Sequence, residues 1–237
     1  MEAAAFSEVA GKFVVVEEKI DGANAGLSFA GGELRLQSRG HFLTGGYRER
    51  HFNLLKRWAA AHSVELYDVL GERYIMYGEW MYAKHTVFYD ILPHYFFEFD
   101  IFDKEGEVFL STEKRRQMLA PVPFVQSVPV LKEGCLKNAD ELAGCLGKSL
   151  YKSDAWRQRL REICEKEKHD FDLVMKQSDD SDFAEGLYIK VEEAGETVQR
   201  YKFVRKEFTA RILSSDSHWL ERPIIANLLV NPGVMGV

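Results

Sequence analysis

Cysteine is scarce in this chain, and the number and spacing of the few cysteines bear on the compartment of the protein and on metal binding. The 237 residues include three cysteines, an odd number, and no two of them form a Cys-x-x-Cys pair; they are Cys135, Cys145 and Cys164. This pattern argues for a reducing compartment and against a structural zinc site. The seven histidines also lack the spacing of metal ligands.

Long hydrophobic runs are missing as well. No apolar stretch approaches the roughly 18 residues that a membrane-spanning helix needs. Residues 1–6 lack the basic segment and the long apolar core of a signal peptide. We therefore expect a cytoplasmic protein that has no membrane partner.

Positive charge is in deficit, because 31 Lys and Arg against 37 Asp and Glu give a formal net charge of −6. The molecule as a whole is therefore not an electrostatic binder of nucleic acid, and any such binding requires a local basic groove. A hydrophobic content of 46% is ordinary for a soluble globular protein. Since no repeat, linker or boundary is visible, we expect a single domain over residues 1–237.

The stretch 14–29 begins as an apolar strand, passes through a polar turn at Gly22 and leaves as a second strand. Lys19 stands where the first strand meets the turn, so its backbone is held while the glycine allows a ligand to approach closely. A lysine amine kept neutral by desolvation or by nearby cations is a nucleophile. Taken alone, however, Lys19-Ile20-Asp21-Gly22 is more readily interpreted as a surface lysine at a hairpin turn.

Several charged residues stand on or beside segments that read as buried strands. Burying a charge is unfavourable unless it is paired or binds an ion or ligand, and several ion pairs within one sheet system are uncommon. A site for phosphates and a metal uses both signs at once, because Lys and Arg hold phosphates while carboxylates hold Mg²⁺. The mixture therefore indicates a nucleotide polyphosphate site made by Lys19, Glu79, Glu185, Lys190 and Lys202, with Arg39 and Arg205 close by.

The remaining pattern predicts an α+β fold, with largely antiparallel sheets that meet at the nucleotide pocket and helices outside them. Helices are expected over residues 49–61, 64–70 and 111–119, after Asn138, and after a Ser153 cap. In the last of these, Trp156, Leu160, Ile163 and Cys164 form one apolar stripe that belongs to the core. A final hairpin turns at Ala194-Gly195.

Two charged segments allow more than one interpretation. In the first helix, the cations face either solvent or a phosphate; they are Arg48, Arg50, Lys56 and Arg57. The acidic stretch 178–182 lacks the spacing of a calcium loop, so we interpret it as a solvated loop.

The order of these segments resembles the covalent nucleotidyltransferase superfamily of ATP-dependent RNA and DNA ligases and mRNA capping enzymes. Within it, the chain is most similar to the RNA ligase family, especially the branch that seals nicks in duplex RNA. The matching motifs are Lys19-Ile20-Asp21-Gly22 followed by Asn24, Ser38-Arg39-Gly40, Tyr77-Gly78-Glu79, Phe97-Glu98-Phe99-Asp100, Glu185-Gly186-Leu187-Tyr188-Ile189-Lys190 and Tyr201-Lys202-Phe203-Val204-Arg205. Each motif alone is a weak signal, but all of them in this order are a strong one.

The resemblance implies a covalent mechanism. Lys19 would attack the α-phosphorus of ATP, form a lysyl-AMP bond and release pyrophosphate. Its pKa would have to fall, and Lys190, Lys202 and a bound Mg²⁺ or Mn²⁺ would supply the positive field. Glu79 and Glu185 would hold the ribose or organise the metal.

The resemblance also implies the remaining contacts and the substrate. Phe99 would stack on adenine, Arg39 would contact the ribose or the 5′-phosphate end, and Asn24 would position the RNA end. Lys190, Lys202 and Arg205 would neutralise the charge developing on the transferred phosphate. The residues expected to bind the nucleotide are Glu18, Ile20, Asn24, Arg39, Phe99 and Arg205. The partners would be RNA with 5′-phosphate and 3′-hydroxyl ends and, in RNA repair, other repair proteins.

Alternatives remain open at this point. Asp21 stands where some RNA ligases have histidine, so the first motif does not separate RNA from DNA ligases. The last motif reads Lys-Phe-Val-Arg-Lys, so either Arg205 or Lys206 would be its second cation. We expect no OB-fold domain after that motif, where DNA ligases and capping enzymes carry one. A DNA nick ligase, a GTP-using capping enzyme and a non-catalytic nucleotide- or RNA-binding module are the other readings.

Overall fold

The computed structural model describes residues 6–214 and 222–236, which leaves His218 and Trp219 outside the described residues. The strands are β1 (Phe13–Lys19), β2 (Ala23–Ala30), β3 (Glu33–Ser38), β4 (His41–Phe42), β5 (Tyr74–Trp80), β6 (Phe96–Asp103), β7 (Val108–Leu110), β8 (Gln126–Ser127), β9 (Val130–Cys135), β10 (Gly186–Glu193) and β11 (Glu196–Val204). The helices are α1 (Asn53–Ala61), α2 (Ser63–Leu70), α3 (Thr112–Leu119), α4 (Ala139–Ala143), α5 (Trp156–Glu167), α6 (Phe171–Lys176) and α7 (Lys206–Ser214). Among them, no helix is both long and apolar enough to cross a membrane.

All of these strands join one sheet, in the order β4-β3-β2-β5-β6-β7-β11-β10-β1-β9, with β8 on the side of β6. The pairings are antiparallel apart from β6 with β8. The short strand β7 links two halves, one built on β2, β5 and β6 and the other on β1, β10 and β11. The expected α+β fold with largely antiparallel strands is confirmed.

The turn after Lys19 is not a hairpin. Strand β1 pairs with β10 and β9, whereas β2 pairs with β3 and β5, so the two strands belong to different halves of the sheet. The hairpin reading of this stretch is therefore wrong. Since only residues 20–22 separate the strands, the connection draws the two halves together, and the side chains at its ends face a common pocket.

Each half of the sheet carries its own cluster of buried apolar side chains. Helix α1 packs on the β2–β5–β6 half through Leu55 and Trp58, which are fully buried in the largest hydrophobic cluster. A second cluster lies on the β1–β10 half and includes Val14 and Ile189. The apolar stripe predicted for α5 forms a third cluster, in which Trp156, Leu160 and Cys164 are buried and Ile163 is partly buried.

Several local predictions hold because their capping side chains are in place. Helix α2 ends before Gly71, as expected, and the Ser111 hydroxyl caps α3 by accepting a hydrogen bond from the Lys114 amide. At α4, the Asn138 side chain accepts from the Glu141 amide at 2.9 Å, and the Glu141 carboxylate accepts from the Lys137 amide at 2.7 Å. This is a reciprocal capping box. The last hairpin turns at Ala194-Gly195, where both residues have positive φ.

Two local predictions are wrong. Residues Tyr47–Phe52 form a 3-10 turn, and α1 begins only at Asn53; within the turn, the carbonyl of His51 accepts a hydrogen bond from the Trp80 indole at 2.7 Å. Ser153 does not cap α5, which begins after Ala155. The Ser153 amide and hydroxyl both donate to the fully buried Asp90 carboxylate. The hydroxyl proton is therefore directed to Asp90, and the side chain does not cap the helix.

Candidate active site

Lys19 is the last residue of β1, opposite Gly186 of β10. Its ammonium lies 2.6 Å from a carboxylate oxygen of Glu185, and the lysine side chain is 23% exposed. Gly186 is required for this pairing, since a Cβ there would lie 1.9 Å from the Phe203 carbonyl oxygen of β11. The three strands thus fix the lysine and its carboxylate partner as one unit.

The turn that follows is held by hydrogen bonds from both sides. The Asp21 carboxylate accepts from the Thr86 amide at 2.7 Å and from the Val87 amide at 2.8 Å. The Gly22 amide donates to the Glu79 carboxylate at 3.0 Å. A Cβ at Gly22 would lie 2.7 Å from the Met81 sulfur, so this position needs glycine for close approach. The turn is rigid, and Lys19 projects from it.

Three carboxylates surround the lysine, and the pKa values of two of them, Glu79 and Glu185, are raised. Burial raises the pKa of Glu79 to about 7 and that of Glu185 to about 8, and neighbouring acids add to both shifts. Burial alone would lower the pKa of Lys19, but Glu185, Glu79 and Asp21 outweigh it, and the pKa is raised. The sequence-based expectation of a lowered pKa is therefore wrong for these protein groups by themselves.

The Lys19 pocket lies between the two halves of the sheet, and its walls differ in character. Ile20 and Val128 are apolar, and Phe99 and Tyr188 face each other with ring centroids 6.0 Å apart and an interplanar angle of 75°. Residues of both charge signs complete the wall, and the full lining is Glu17, Glu18, Lys19, Ile20, Asn24, Arg39, Glu79, Phe99, Val128, Tyr188 and Lys202. A cleft that combines apolar and aromatic surface with charged groups suits a nucleotide.

The charged wall of the pocket also contains two cations, Lys202 and Arg39, and the side-chain amide of Asn24. Burial lowers the pKa of Lys202, and the positive charges of Lys19 and Arg39 lower it further. Asn24 of β2 stands directly opposite Glu79 of β5. Arg39 is exposed at the end of β3 and reaches the pocket from its open side. This wall combines positive charge and carboxylates, as a phosphate site with a metal requires.

The amino-acid sequence of the chain matches the model of a known protein family. A family model described as RNA ligase matches residues 12–204, which is most of the chain. The chain belongs to the RNA ligase family. No curated protein is similar enough in sequence to match it.

Solved structures agree on the fold of this RNA ligase family member. Naegleria gruberi RNA ligase with PPi superimposes with a TM-score of 0.60 at 16% identity, over 88% of this chain and 54% of that chain. Variants of the same ligase, one with ATP and Mn and one with AMP and Mn, give a TM-score of 0.57 at 15% and 14% identity, with the same coverage of 88% and 54%. Identity this low shows the shared fold alone. The chain spans about half the length of these ligases.

In this RNA ligase fold, Lys190 lies behind the pocket and does not line it. Its fully buried ammonium lies 2.9 Å from Glu17 and 3.2 Å from Asp100, and it also donates to the backbone carbonyl of Phe99. The expectation that Lys190 supplies positive field directly beside Lys19 is not supported, and Lys202 is the cation with that position. Lys190 instead anchors the strand that carries Phe99.

Arg205 also lies apart from the pocket lining. Its guanidinium is buried, 2.6 Å from Asp179, and it donates to the Ala184 carbonyl at 2.6 Å and to the Ser181 hydroxyl at 2.9 Å. Its backbone amide donates to the Glu185 carbonyl at 3.0 Å. Arg205 therefore supports the segment that carries Glu185, and Asp179 is a buried ion-pair partner rather than part of a solvated loop.

Glu18 and Ile20 flank Lys19 and both line the pocket. The Glu18 carboxylate is not available to a ligand as a free group, because it accepts from the Ser149 hydroxyl at 2.6 Å and from the Leu150 amide at 3.1 Å. Burial raises the pKa of Glu18, and these two hydrogen bonds oppose the shift. Glu18 thus closes the inner end of the pocket.

A buried ionic network lies under the pocket, and it was not predicted from the sequence. Arg115 of α3 lies 2.8 Å from Glu17 of β1 and 2.6 Å from Glu98 of β6, and all three side chains are almost completely buried. The network ties the two halves of the sheet together beneath Phe99. Glu17 within an apolar strand was the signal that a buried cation had to lie nearby.

The residues around Lys19 fit a metal ion that is shared with a bound phosphate. No group of three or more His, Cys, Asp or Glu that could hold a metal occurs within residues 6–214 and 222–236. One Glu185 oxygen is buried without a hydrogen-bond partner in that part of the chain. Mg²⁺ is commonly held by one or two carboxylates together with substrate phosphates. Glu79 and Glu185 match that arrangement, and a separate all-protein metal site does not.

Proposed function

We propose that this chain is an ATP-dependent RNA ligase that works through a lysyl-AMP intermediate at Lys19 and acts in RNA repair. The observation that carries the proposal is the position of the Lys19 amine. It is held at the mouth of a pocket that has an aromatic pair on one side and Lys202 and Arg39 on the other. The chain would serve as the nucleotidyltransferase domain of such an enzyme.

ATP suits the pocket by shape and by charge. Adenine would enter between Phe99 and Tyr188, whose edge-on contact opens when a base stacks on Phe99. The phosphates would then lie toward Lys202 and Arg39, whose charges are not neutralised by an ion pair with any described carboxylate. A divalent ion, Mg²⁺ or Mn²⁺, held by Glu79 and Glu185 would offset the negative charge of the phosphates when bound.

The first step joins Lys19 to AMP. The amine nitrogen forms a bond to the α-phosphorus, and the bond from that phosphorus to the bridging oxygen of pyrophosphate breaks. The amine must first lose a proton, and the Glu185 carboxylate, whose nearer oxygen lies 2.6 Å from the amine, would accept it. Lys202 stabilises the charge that develops on the phosphate oxygens.

The later steps use the same groups. An oxygen of the RNA 5′-phosphate attacks the phosphorus of the adenylate, and the bond to Lys19 breaks. The 3′-hydroxyl oxygen then attacks the 5′-phosphate, and AMP leaves. Asn24, which faces Glu79 across the β2–β5 pair, is placed to orient the 3′-hydroxyl end.

Labelling tests the proposal. With α-labelled ATP and Mg²⁺, the wild-type chain should acquire acid-labile, base-stable label, and Lys19→Ala should acquire none. Lys132→Ala is the matched control, since Lys132 also pairs with a glutamate at 2.6 Å but is not among the residues that line the pocket. Absence of label on wild type would contradict the proposal and favour a binding module. Label from GTP alone would favour a capping enzyme.

The polymer is tested by competition. Nicked duplexes with RNA or DNA at the 3′-hydroxyl side are offered together to the labelled enzyme. The proposal requires faster sealing of the RNA strand, and equal or faster sealing of DNA would favour a DNA nick ligase.

A further inference from the structure

A second groove opens from the Lys19 pocket. It shares five residues with that pocket, namely Asn24, Arg39, Phe99, Tyr188 and Lys202. It then continues along the sheet to four more residues, Tyr77, Asp100, Phe109 and Arg200. We call this extension, lined by those four residues, the aromatic groove.

The alternation of side chains along two strands explains why the groove continues the pocket. On β5, Tyr77 precedes Glu79 by two residues and therefore faces the same side of the sheet. On β11, Arg200 precedes Lys202 in the same way. Each strand thus carries one group beside Lys19 and a second group farther out. Arg200 and Lys202 therefore line the same groove from one face of β11.

The aromatic groove contains flat apolar surface and an oriented cation. The Arg200 guanidinium lies 3.6 Å from the Phe109 ring centroid, and the Tyr77 ring centroid lies 6.4 Å from that of Phe109. Arg200 is fixed by Asp100 at 2.9 Å, yet its side chain remains 36% exposed. Tyr188 donates to the same Asp100 carboxylate at 3.1 Å. Arg200 is therefore oriented before any ligand arrives.

We propose that the aromatic groove binds a nucleotide of the RNA strand next to the end that is being joined, with its base against Tyr77 and its phosphate at Arg200, which Phe109 and Asp100 hold in place. This inference rests on the proposed function and names the part of the site that receives RNA. Single-stranded nucleic acid is generally held by aromatic surfaces that stack on bases and by cations that follow the backbone. Both features are present in this groove.

Charge and position favour RNA over a second part of ATP. ATP has one base, and the Phe99–Tyr188 pair already provides for it. The chain has a net charge of −6, so attraction for RNA must be local. The pocket and groove together offer Arg39, Lys202 and Arg200 on one face. An RNA end whose phosphate reaches Lys19 must leave through a passage continuous with the pocket, and the aromatic groove is such a passage.

The test separates RNA binding from the reaction with ATP. The variants are Tyr77→Ala, Tyr77→Phe and Arg200→Gln, with Arg116→Gln as the control, because Arg116 is also a half-exposed, ion-paired arginine but lies outside both cavities. Thermal melting first establishes that each variant is folded. Two quantities are then measured, the rate of label transfer from ATP to the protein and the Kd for a 5′-phosphorylated RNA oligonucleotide by fluorescence anisotropy.

We expect Tyr77→Ala and Arg200→Gln to weaken RNA binding by about 5- to 100-fold, the range for loss of one stacked base or one charge-assisted contact. Their label transfer should remain within about twofold of wild type. Tyr77→Phe should bind RNA nearly as wild type does, because stacking needs the ring and not the hydroxyl. Unchanged RNA affinity in Tyr77→Ala and Arg200→Gln would overturn the inference. A matching loss of label transfer with a raised KM for ATP would also overturn it, by assigning the groove to ATP.

The two proposals fail in different ways. If wild type takes no label from ATP but binds RNA through Tyr77 and Arg200, the lysyl-AMP mechanism fails while the groove stands. If wild type is labelled and neither Tyr77→Ala nor Arg200→Gln weakens RNA binding, the lysyl-AMP mechanism stands and the assignment of the aromatic groove to RNA is wrong.

Discussion

At the residue scale, the chemistry of the site depends on one ammonium among three carboxylates. Lys19 lies 2.6 Å from Glu185, and the pKa of the lysine is raised even though burial acts against the shift. The protein groups alone therefore hold Lys19 in its protonated form. In the proposed reaction, Lys202 and bound cations would have to counter that field before the amine could attack.

Glu79 gives this cluster a measurable effect on stability. Its pKa is about 7 in the folded protein against an ordinary value of 4.5, chiefly because it is buried. The folded state thus binds more protons than the unfolded chain between those values, and the free energy of unfolding falls as the pH rises through that window. Glu79→Gln stays neutral, and its amide oxygen can still accept from the Gly22 amide.

We therefore expect Glu79→Gln to gain stability relative to wild type between about pH 5 and about pH 8, by at most about 3 kcal/mol. Urea unfolding of both proteins across this range measures the difference. Glu165→Gln, which removes an exposed carboxylate on α5, controls for the loss of one charge. A constant difference between Glu79→Gln and wild type at every pH would contradict this account of the cluster.

The sequence identifies part of the site, and the reason is local. Lys19, Glu79, Glu185 and Lys202 come together because each stands near the end of a strand that the sequence predicts. Lys190 and Arg205 are drawn away from the pocket by Asp100 and Asp179 respectively. Their partners lie on segments far away in the chain, so neither spacing nor strand pattern could reveal the pairing.

At the scale of elements, the site depends on how β10 sits between β1 and β11. Gly186 pairs with Lys19 on one side and with Val204 on the other. Any side chain at this position would meet the backbone of β11, since a Cβ would lie 1.9 Å from the Phe203 carbonyl oxygen. A backbone contact cannot be relieved by a change of rotamer, so the strands would have to separate.

Gly186→Ala should therefore destabilise the protein by about 3 kcal/mol or more. Gly147→Ala is the matched control, because a Cβ at that loop position meets no atom within 4 Å. Urea midpoints of the two variants give the comparison. Equal stability of Gly186→Ala and Gly147→Ala would show that the close approach of β10 and β11 is not a constraint.

Helix α3 is joined to the sheet by a buried charge. Arg115 bridges Glu17 and Glu98, and its removal would leave two buried carboxylates without a cation on that side. Arg115→Met should cost about 3–5 kcal/mol of stability. Its neighbour Arg116 forms an exposed pair with Glu133, and Arg116→Met should cost about 1 kcal/mol or less.

Chemical unfolding of the two arginine variants measures this contrast directly. Similar losses of stability for both would mean that the buried network does not hold the sheet halves together. The helix itself was predictable from its Ser111 cap, but the inward direction of Arg115 was not. It depends on Glu17 and Glu98, which come from opposite halves of the sheet.

At the scale of the whole molecule, the net charge of −6 and the cationic face have opposite effects on RNA. Binding should come from the few cations along the pocket and the aromatic groove, chiefly Arg39, Lys202 and Arg200. For single strands, the logarithm of the binding constant should fall with the logarithm of salt concentration with a slope of about −2 for three such contacts. Arg200→Gln should reduce that slope by about 0.7.

Anisotropy titrations at several salt concentrations give these slopes. A much steeper slope that does not change in Arg200→Gln would place the RNA on another surface. The topology behind this prediction could be read only in part from the sequence. Each strand was predictable from its own pattern, but the separation of β1 and β2 into different halves depends on long-range pairing with β10 and β5.

The central claim is that Lys19 itself becomes bonded to adenylate. The most direct measurement is peptide mapping by mass spectrometry after incubation with ATP and Mg²⁺. We expect the mass of one adenylate on Lys19, and we expect RNA with a 5′-phosphate to remove it. Adenylate on another residue, or an unmodified Lys19 in protein that seals RNA, would contradict the lysyl-AMP mechanism.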